Sequence, residues 1–219
     1  MRIIRFICFP ALLLCAQAVL TACDGDPSGP EGVPSDELVF LRAAEDAPAL
    51  LTDSVSFWAV AGDTREIRIP YAADGPYAGD ECLRFKIPGN GLLRHPDGRP
   101  VERGDSVFIT IRVVDPALFS FEFSPAGLQF DPDHPAELRV SFKWADRDYD
   151  GDGNEGDDDD ERIERTFGMW RQETPASDWE RIGTVRDFDL EEARADLEGF
   201  TKYALAGGRS ARTDGESSF

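Results

Sequence analysis

Between Asp146 and Glu161 the chain reads DRDYDGDGNEGDDDDE, in which ten of sixteen residues are acidic. Aspartates alternate with other residues and a glycine follows them, which is the arrangement a calcium loop uses. Such a loop places hard oxygen ligands at alternate positions and turns sharply at a glycine in position six. Two overlapping registers satisfy it. One starts at Asp146, continues through Asp148, Asp150, Gly151, Asp152 and Asn154, and reaches Asp157 at position twelve. The other starts at Asp148, continues through Asp150, Asp152, Gly153, Asn154 and Gly156, and reaches Asp159. The candidate ligands for calcium are therefore Asp146, Asp148, Asp150, Asp152, Asn154, Asp157 and Asp159. Position twelve is the shorter Asp in both registers, where helix–loop–helix calcium hands carry a bidentate Glu. The bland alternative is a solvated acidic loop, the usual fate of a run of like charge. A divalent ion would relieve the mutual repulsion of these carboxylates, and magnesium fits less well because it retains its waters.

Other reactive residue types give weaker signals. His95 and His134 each precede a proline in a turn-rich stretch and lack paired ligand spacing, so both read as exposed loop residues. No G-x-S-x-G, phosphate-binding loop or dinucleotide fingerprint occurs in the sequence. Cys82 lies in a strand-like run and reads as a half-buried apolar residue. Trp58, Trp144, Trp170 and Trp179 read as core or strand-pair residues, with a sugar-stacking surface as the alternative.

The ends of the chain bear on location. Arg2 and Arg5 precede the apolar run ICFPALLLCAQAVL, a leader of secretory type. It ends in Leu20-Thr21-Ala22-Cys23, which resembles the bacterial lipobox, where the cysteine sulfur receives a diacylglyceryl group and becomes the new amino terminus. Residues 1–22 are thus expected to be a signal peptide and Cys23 the site of a covalent lipid. Two or more acyl chains anchor stably where one does not. The expected location is the extracytoplasmic side of the cell membrane or outer membrane. Residues 23–37 carry Gly, Pro, Ser and acids and read as a flexible linker, and residues 208–219 as a disordered tail.

Charge excludes one class of partner. The formal net charge is −20, and loss of Arg2 and Arg5 with the leader takes it to −22. Nucleic-acid binding needs clustered Lys and Arg, so no nucleic acid is expected, whereas cations and basic partners are favoured. Cys8 and Cys15 fall in the leader and Cys23 is assigned to lipid, which leaves Cys82 and no disulfide framework.

The elements that must position the acidic stretch read as strands. SVSFWAV, REIRIPY, CLRFKIP, SVFITIRVV, FSFEF and ELRVSFKW alternate apolar with polar residues, the period of half-buried antiparallel strands. AADGP, PGNG, HPDGRP and DPDHP punctuate them as turns. RIERTFGMW, after the acidic stretch, also reads as a strand. DFDLEEARADLEGF admits either a short helix, capped by Asp187 or Asp189 with Leu190, Ala193 and Leu197 on one face, or a charged connection into a strand. The fold class is all-β: an antiparallel β-sandwich over residues 38–207, with the acidic insertion at 146–161 and at most one short helix.

Phe123–Trp144, with Pro125, Gly127, Leu128, Phe130, Pro135, Leu138 and Val140, resembles a segment of the zona occludens/UNC-five-type domain of ankyrins and netrin receptors. LRFKIPGNGL followed by RGDSVFITIRVVD fits the same pattern upstream. GFTKYALAG resembles the final strand of bacterial surface modules of this kind through Phe200, Tyr203, Ala204 and Ala206, with Gly199 in place of a histidine. The resemblance implies a β-sandwich used in protein–protein contact and carries over no catalytic residue. The expected function is that of a lipid-anchored, non-catalytic envelope protein with a structural or protein-binding role, rigidified by calcium. The alternative is a carbohydrate-binding or hydrolytic envelope protein that uses aromatic and carboxylate side chains.

Overall fold

The computed structural model describes residues 32–72 and 79–209. The leader, Cys23 and the tail from residue 210 lie outside the described residues. Among the described residues fourteen strands and one α-helix follow in order: β1 (Leu38–Phe40), β2 (Ser54–Val60), β3 (Arg65–Pro70), β4 (Glu81–Ile87), β5 (Leu92–Arg94), β6 (Ser106–Asp115), β7 (Ser120–Ser124), β8 (Gln129–Phe130), β9 (Ala136–Ser141), α1 (Asp158–Thr166), β10 (Gly168–Gln172), β11 (Trp179–Arg181), β12 (Thr184–Asp187), β13 (Glu192–Leu197) and β14 (Lys202–Gly208).

Two sheets carry the core. One has the order β11-β10-β14-β7-β6-β2, with β1 added beside β14; the other runs β12-β13-β9-β4-β3. Every paired strand is antiparallel. The alternation seen in the sequence decides which side chains meet between the sheets. Val107, Ile109, Ile111 and Val113 of β6 face inward, as do Leu83, Phe85 and Ile87 of β4 and Leu138 and Val140 of β9. Each such side chain contributes about 1.5–3 kcal/mol on leaving water.

Val33 pairs with Trp179 ahead of a 3-10 turn at Ser35–Glu37. Trp179 donates its indole N–H to the Ser35 hydroxyl at 3.0 Å. At the other end Arg209 N–H donates to the Glu37 carbonyl. The expected linker and tail therefore each supply a few residues to the edge of the first sheet.

One stretch departs from the sequence expectation, and another settles between the two alternatives it offered. RIERT, read as part of a strand, belongs to α1, and the strand starts at Gly168. Asp157 decides this: its side chain accepts the Asp159 and Asp160 N–H groups as an N-cap, and acidic residues fill the first turn where the helix dipole favours them. DFDLEEARADLEGF forms a turn and β13 rather than a helix. There Ala193, Ala195 and Leu197 are buried while Arg194 and Asp196 are exposed, so period two overrides the helical spacing of Leu190, Ala193 and Leu197. The long edge of β9 selects it, pairing with β13 from Ser141↔Glu192 to Ala136↔Leu197.

Candidate metal site

The acidic stretch connects β9 to β10, the strands of opposite sheets. It departs from the sandwich at Ala145, which bridges to Ala43, while Asp146 N–H donates to the Arg42 carbonyl at 2.8 Å. From there the chain folds back on its own carboxylates. Asp146 Oδ1 accepts Asp148 N–H at 3.1 Å. Asp148 accepts three amides: Gly151 and Asp152 at Oδ1, 2.8 and 3.1 Å, and Gly153 at Oδ2, 2.8 Å. Asp150 Oδ1 accepts Asp152 N–H at 3.0 Å, and Asp152 Oδ1 accepts both the backbone and side-chain N–H of Asn154. Gly151 and Gly153 adopt φ of 78° and 94°, and nothing lies within 4 Å of where a Cβ would stand at either. Backbone conformation, not space, calls for glycine there.

This folding brings Asp148, Asp150 and Asp152 together. One carboxylate oxygen from each lies within 4.8 Å of the others. Three oxygens so placed leave a point no more than about 2.8 Å from each, close to the calcium–oxygen distance of about 2.3–2.6 Å. The donors are hard oxygens with lone pairs to spare beyond those accepting amides. The set fits calcium, with the remaining coordination open to Asn154, backbone carbonyls and water.

The other residues singled out from sequence serve elsewhere. Asp146 holds the Asp148 amide, Asp157 caps α1, and Asp159 pairs with Arg162 one turn along the helix. The carboxyl of Asp150 is raised above its ordinary value of 3.8, first by desolvation and then by the charges of Asp152, Asp157 and Asp160. A carboxylate so placed is easier to protonate and gains from a nearby cation.

Asp160, which sequence reasoning did not single out, holds the stretch together. It is 1% exposed. Its Oδ1 accepts Tyr149 and Asp150 N–H at 2.7 and 3.3 Å, and its Oδ2 accepts Gly156 N–H at 2.7 Å. It stands three residues after the cap Asp157, the spacing at which a helix-start acid reaches back toward preceding amides. That spacing is the signal that could have found it.

α1 in turn is fixed to the sandwich. Ile163 packs on β14 so closely that a Cβ added to Gly207 would stand 2.7 Å from the Ile163 methyl group. Thr166 Oγ1 donates to the Ile163 carbonyl and accepts Gly208 N–H. Arg186 donates to the Glu164 and Arg165 carbonyls at 2.8 and 3.1 Å and lies over the Phe167 ring. This matches the preference for cationic groups at a helix C-terminus. Arg147 ties the start of the loop across to Glu191 at 2.6 Å and to the Tyr149 hydroxyl at 3.2 Å. The aspartate cluster thus sits on a framed loop and helix, not on a loose excursion.

The weaker candidates sort as follows. Cys82 is buried, deeper than expected, and burial pushes its thiol up to about 11, away from reactivity. His134 is half-exposed, whereas His95 is largely enclosed and 3.3 Å from Asp105. Trp170 and Trp179 are buried and Trp144 packs against the core, while Trp58 is exposed and paired with Phe108 at 5.1 Å between ring centroids. The four tryptophans do not form one exposed row. Comparison with family models, curated proteins and solved structures returned no match to this chain.

Proposed function

We propose that the chain is an exported, lipid-anchored, non-catalytic β-sandwich with a structural or protein-binding role at the cell envelope, and that calcium bound by Asp148, Asp150 and Asp152 rigidifies it. The observation that carries the calcium reading is the convergence of the three carboxylates on a loop framed by Asp160 and α1. The anchor reading rests on Leu20-Thr21-Ala22-Cys23, and the envelope follows from it. Leu128, Phe130, Leu138 and Val140, which carry the resemblance to protein-contact sandwiches, are all fully buried and so serve the core.

Thermal melting tests the calcium reading. With an affinity of about 10⁻⁴–10⁻³ M, as extracellular modules show, calcium at roughly 10 mM stabilises by about 1.4–2.7 kcal/mol. For a domain of this size that raises Tm by about 3–10 °C over chelator. Asp150→Asn with Asp152→Asn abolishes the rise. A wild-type Tm equal in calcium and chelator rules out the site. The sign of the Asp150 shift gives a further arm. A carboxyl raised in the folded state favours folding below its unfolded value and loses that contribution as pH climbs through the folded one. In chelator at neutral pH, Asp150→Asn alone therefore melts no lower than wild type.

Fractionation tests the anchor. Cys23→Ser moves the protein from the membrane fraction to the soluble one; retention of the variant in the membrane overturns the lipid reading.

A further inference from the structure

A second feature lies away from the aspartate loop, beside the start of β14 and the turn that precedes β8. There a cleft of about 300 Å³ opens between the two loops, lined by Leu128, Arg171, Glu173, Glu198, Phe200 and Tyr203 among others. That volume is at the small end for ligand pockets, which run to about 1,000 Å³, and suits one side chain rather than a cofactor.

The charges around the cleft do not balance. Arg171 lines the cleft but gives both Nε and Nη2 to Glu180, at 2.9 and 2.7 Å, so its charge is already paired. Glu173 and Glu198 take part in no ion pair or side-chain hydrogen bond among the described residues. Both are exposed and stand at the walls, over a base that includes Leu128 and Phe200. The Tyr203 phenol reports their proximity: burial raises it most, Arg171 lowers it, and Glu173 and Glu198 each raise it further. Its hydroxyl donates to the Gly199 carbonyl and so offers no donor to an anion.

We infer that this cleft receives a lysine or arginine side chain from a basic peptide segment, its charge between Glu173 and Glu198 and its stem against the apolar base. The net charge of −20 complements that partner, draws it in and repels acidic ones. Two carboxylates are too few for a protein-held divalent cation of the kind the aspartate loop suits. The inference rests on the protein-binding part of the reading above and is independent of the anchor and of calcium.

The test is a titration of the ¹⁵N-labelled protein with capped tripeptides, Ala-Lys-Ala and Ala-norleucine-Ala, followed by amide shifts. Saturable shifts at Gly127, Gly199 and Thr201 are expected with the lysine peptide. Loss of a charge-assisted contact weakens binding by roughly ten-fold, so the norleucine peptide binds at least that much more weakly. The same loss is expected for the lysine peptide against Glu173→Gln with Glu198→Gln. Asp158→Asn with Asp159→Asn, which removes exposed charge from the acidic insertion, leaves the shifts at these three amides in place. Equal binding of the two peptides, equally tight binding of n-butylamine, no saturable shift at these amides, or loss of binding in the insertion variant alone overturns the proposal. In cross-linking of the anchored protein in its own envelope, a partner retained equally by the Glu173→Gln, Glu198→Gln variant overturns the cleft and leaves the protein-binding reading standing.

Discussion

Asp160→Ala lowers the stability of the protein by about 3 kcal/mol and removes its response to calcium. The carboxylate is the acceptor for the amides of Tyr149, Asp150 and Gly156. Each amide left without a partner in a buried place costs about 1–3 kcal/mol, and opening of the loop to water returns part of that. The loss is not confined to hydrogen bonds. Asp160 holds the backbone at Asp150 and, through Tyr149, the approach to Asp148, so the triad loses its convergence when the acid goes. Asp160→Asn is the milder variant: its oxygen still accepts one side's amides, while its NH₂ faces Gly156 N–H in place of an acceptor. Urea denaturation in chelator and in calcium reads both effects. Hydrogen exchange at Tyr149, Asp150 and Gly156 should accelerate in the alanine variant, with β6 and β9 protected as before. An alanine variant within about 0.5 kcal/mol of wild type, the range of ordinary surface changes, overturns the role given to Asp160.

That one buried acid among ten ties the loop to α1 also explains what sequence could and could not reveal. β4, β6 and β9 were legible because polar residues alternate with fully buried ones: Arg84 and Lys86, Thr110 and Arg112, Arg139 and Ser141 stand between them. The aspartate triad was legible because loop chemistry is local, and alternation with glycine needs no distant partner. Asp160 was hidden because its neighbours have the same charge and a sequence does not show which carboxylate is enclosed. The capping distance from Asp157 marks it only once a helix is known to start there. The helix itself was hidden because Ile163, Phe167 and Met169 leave enough alternation in RIERTFGMW to suggest a strand. β13 presented the reverse problem: its choice of period two over helical spacing depends on β9, more than fifty residues away in sequence. Short strands such as β5 and β8 are set by pairing with each other, Leu92 to Phe130, and have too few residues to show a period.

The largest expected loss of stability lies in the core, at Phe85. It is fully buried in β4, which is flanked on both sides by β3 and β9. Its ring meets Phe123 at 5.4 Å, Phe200 at 5.7 Å and Phe130 at 6.3 Å between centroids. These rings also meet one another, and Phe123 meets Tyr203 edge to face at 5.4 Å. Phe85 therefore joins the second sheet to aromatics supplied by β7 of the first sheet, by β8 of the small β5-β8 pair and by the turn before β14. Phe85→Ala costs about 3–5 kcal/mol from lost transfer energy and the cavity left behind, which lowers Tm by about 6–20 °C in a domain of this size. Phe85→Leu, which refills most of the space, costs about 1.5 kcal/mol or less. Among the described residues no hydrogen bond or ring contact joins the aspartate triad to Phe85, and effects at separate sites add to within a few tenths of a kcal/mol. The calcium-dependent rise in Tm should therefore survive in Phe85→Leu at its wild-type size, although Asp160→Ala abolishes it. The cleft responds differently, because Phe200 serves both the aromatic cluster and its base. Weaker lysine-peptide binding in Phe85→Leu with an unchanged calcium response would show that the two sites draw on different parts of one core. Loss of the calcium response in Phe85→Leu would instead mean that the insertion depends on core packing beyond its own frame of Asp160, Arg186 and Gly207.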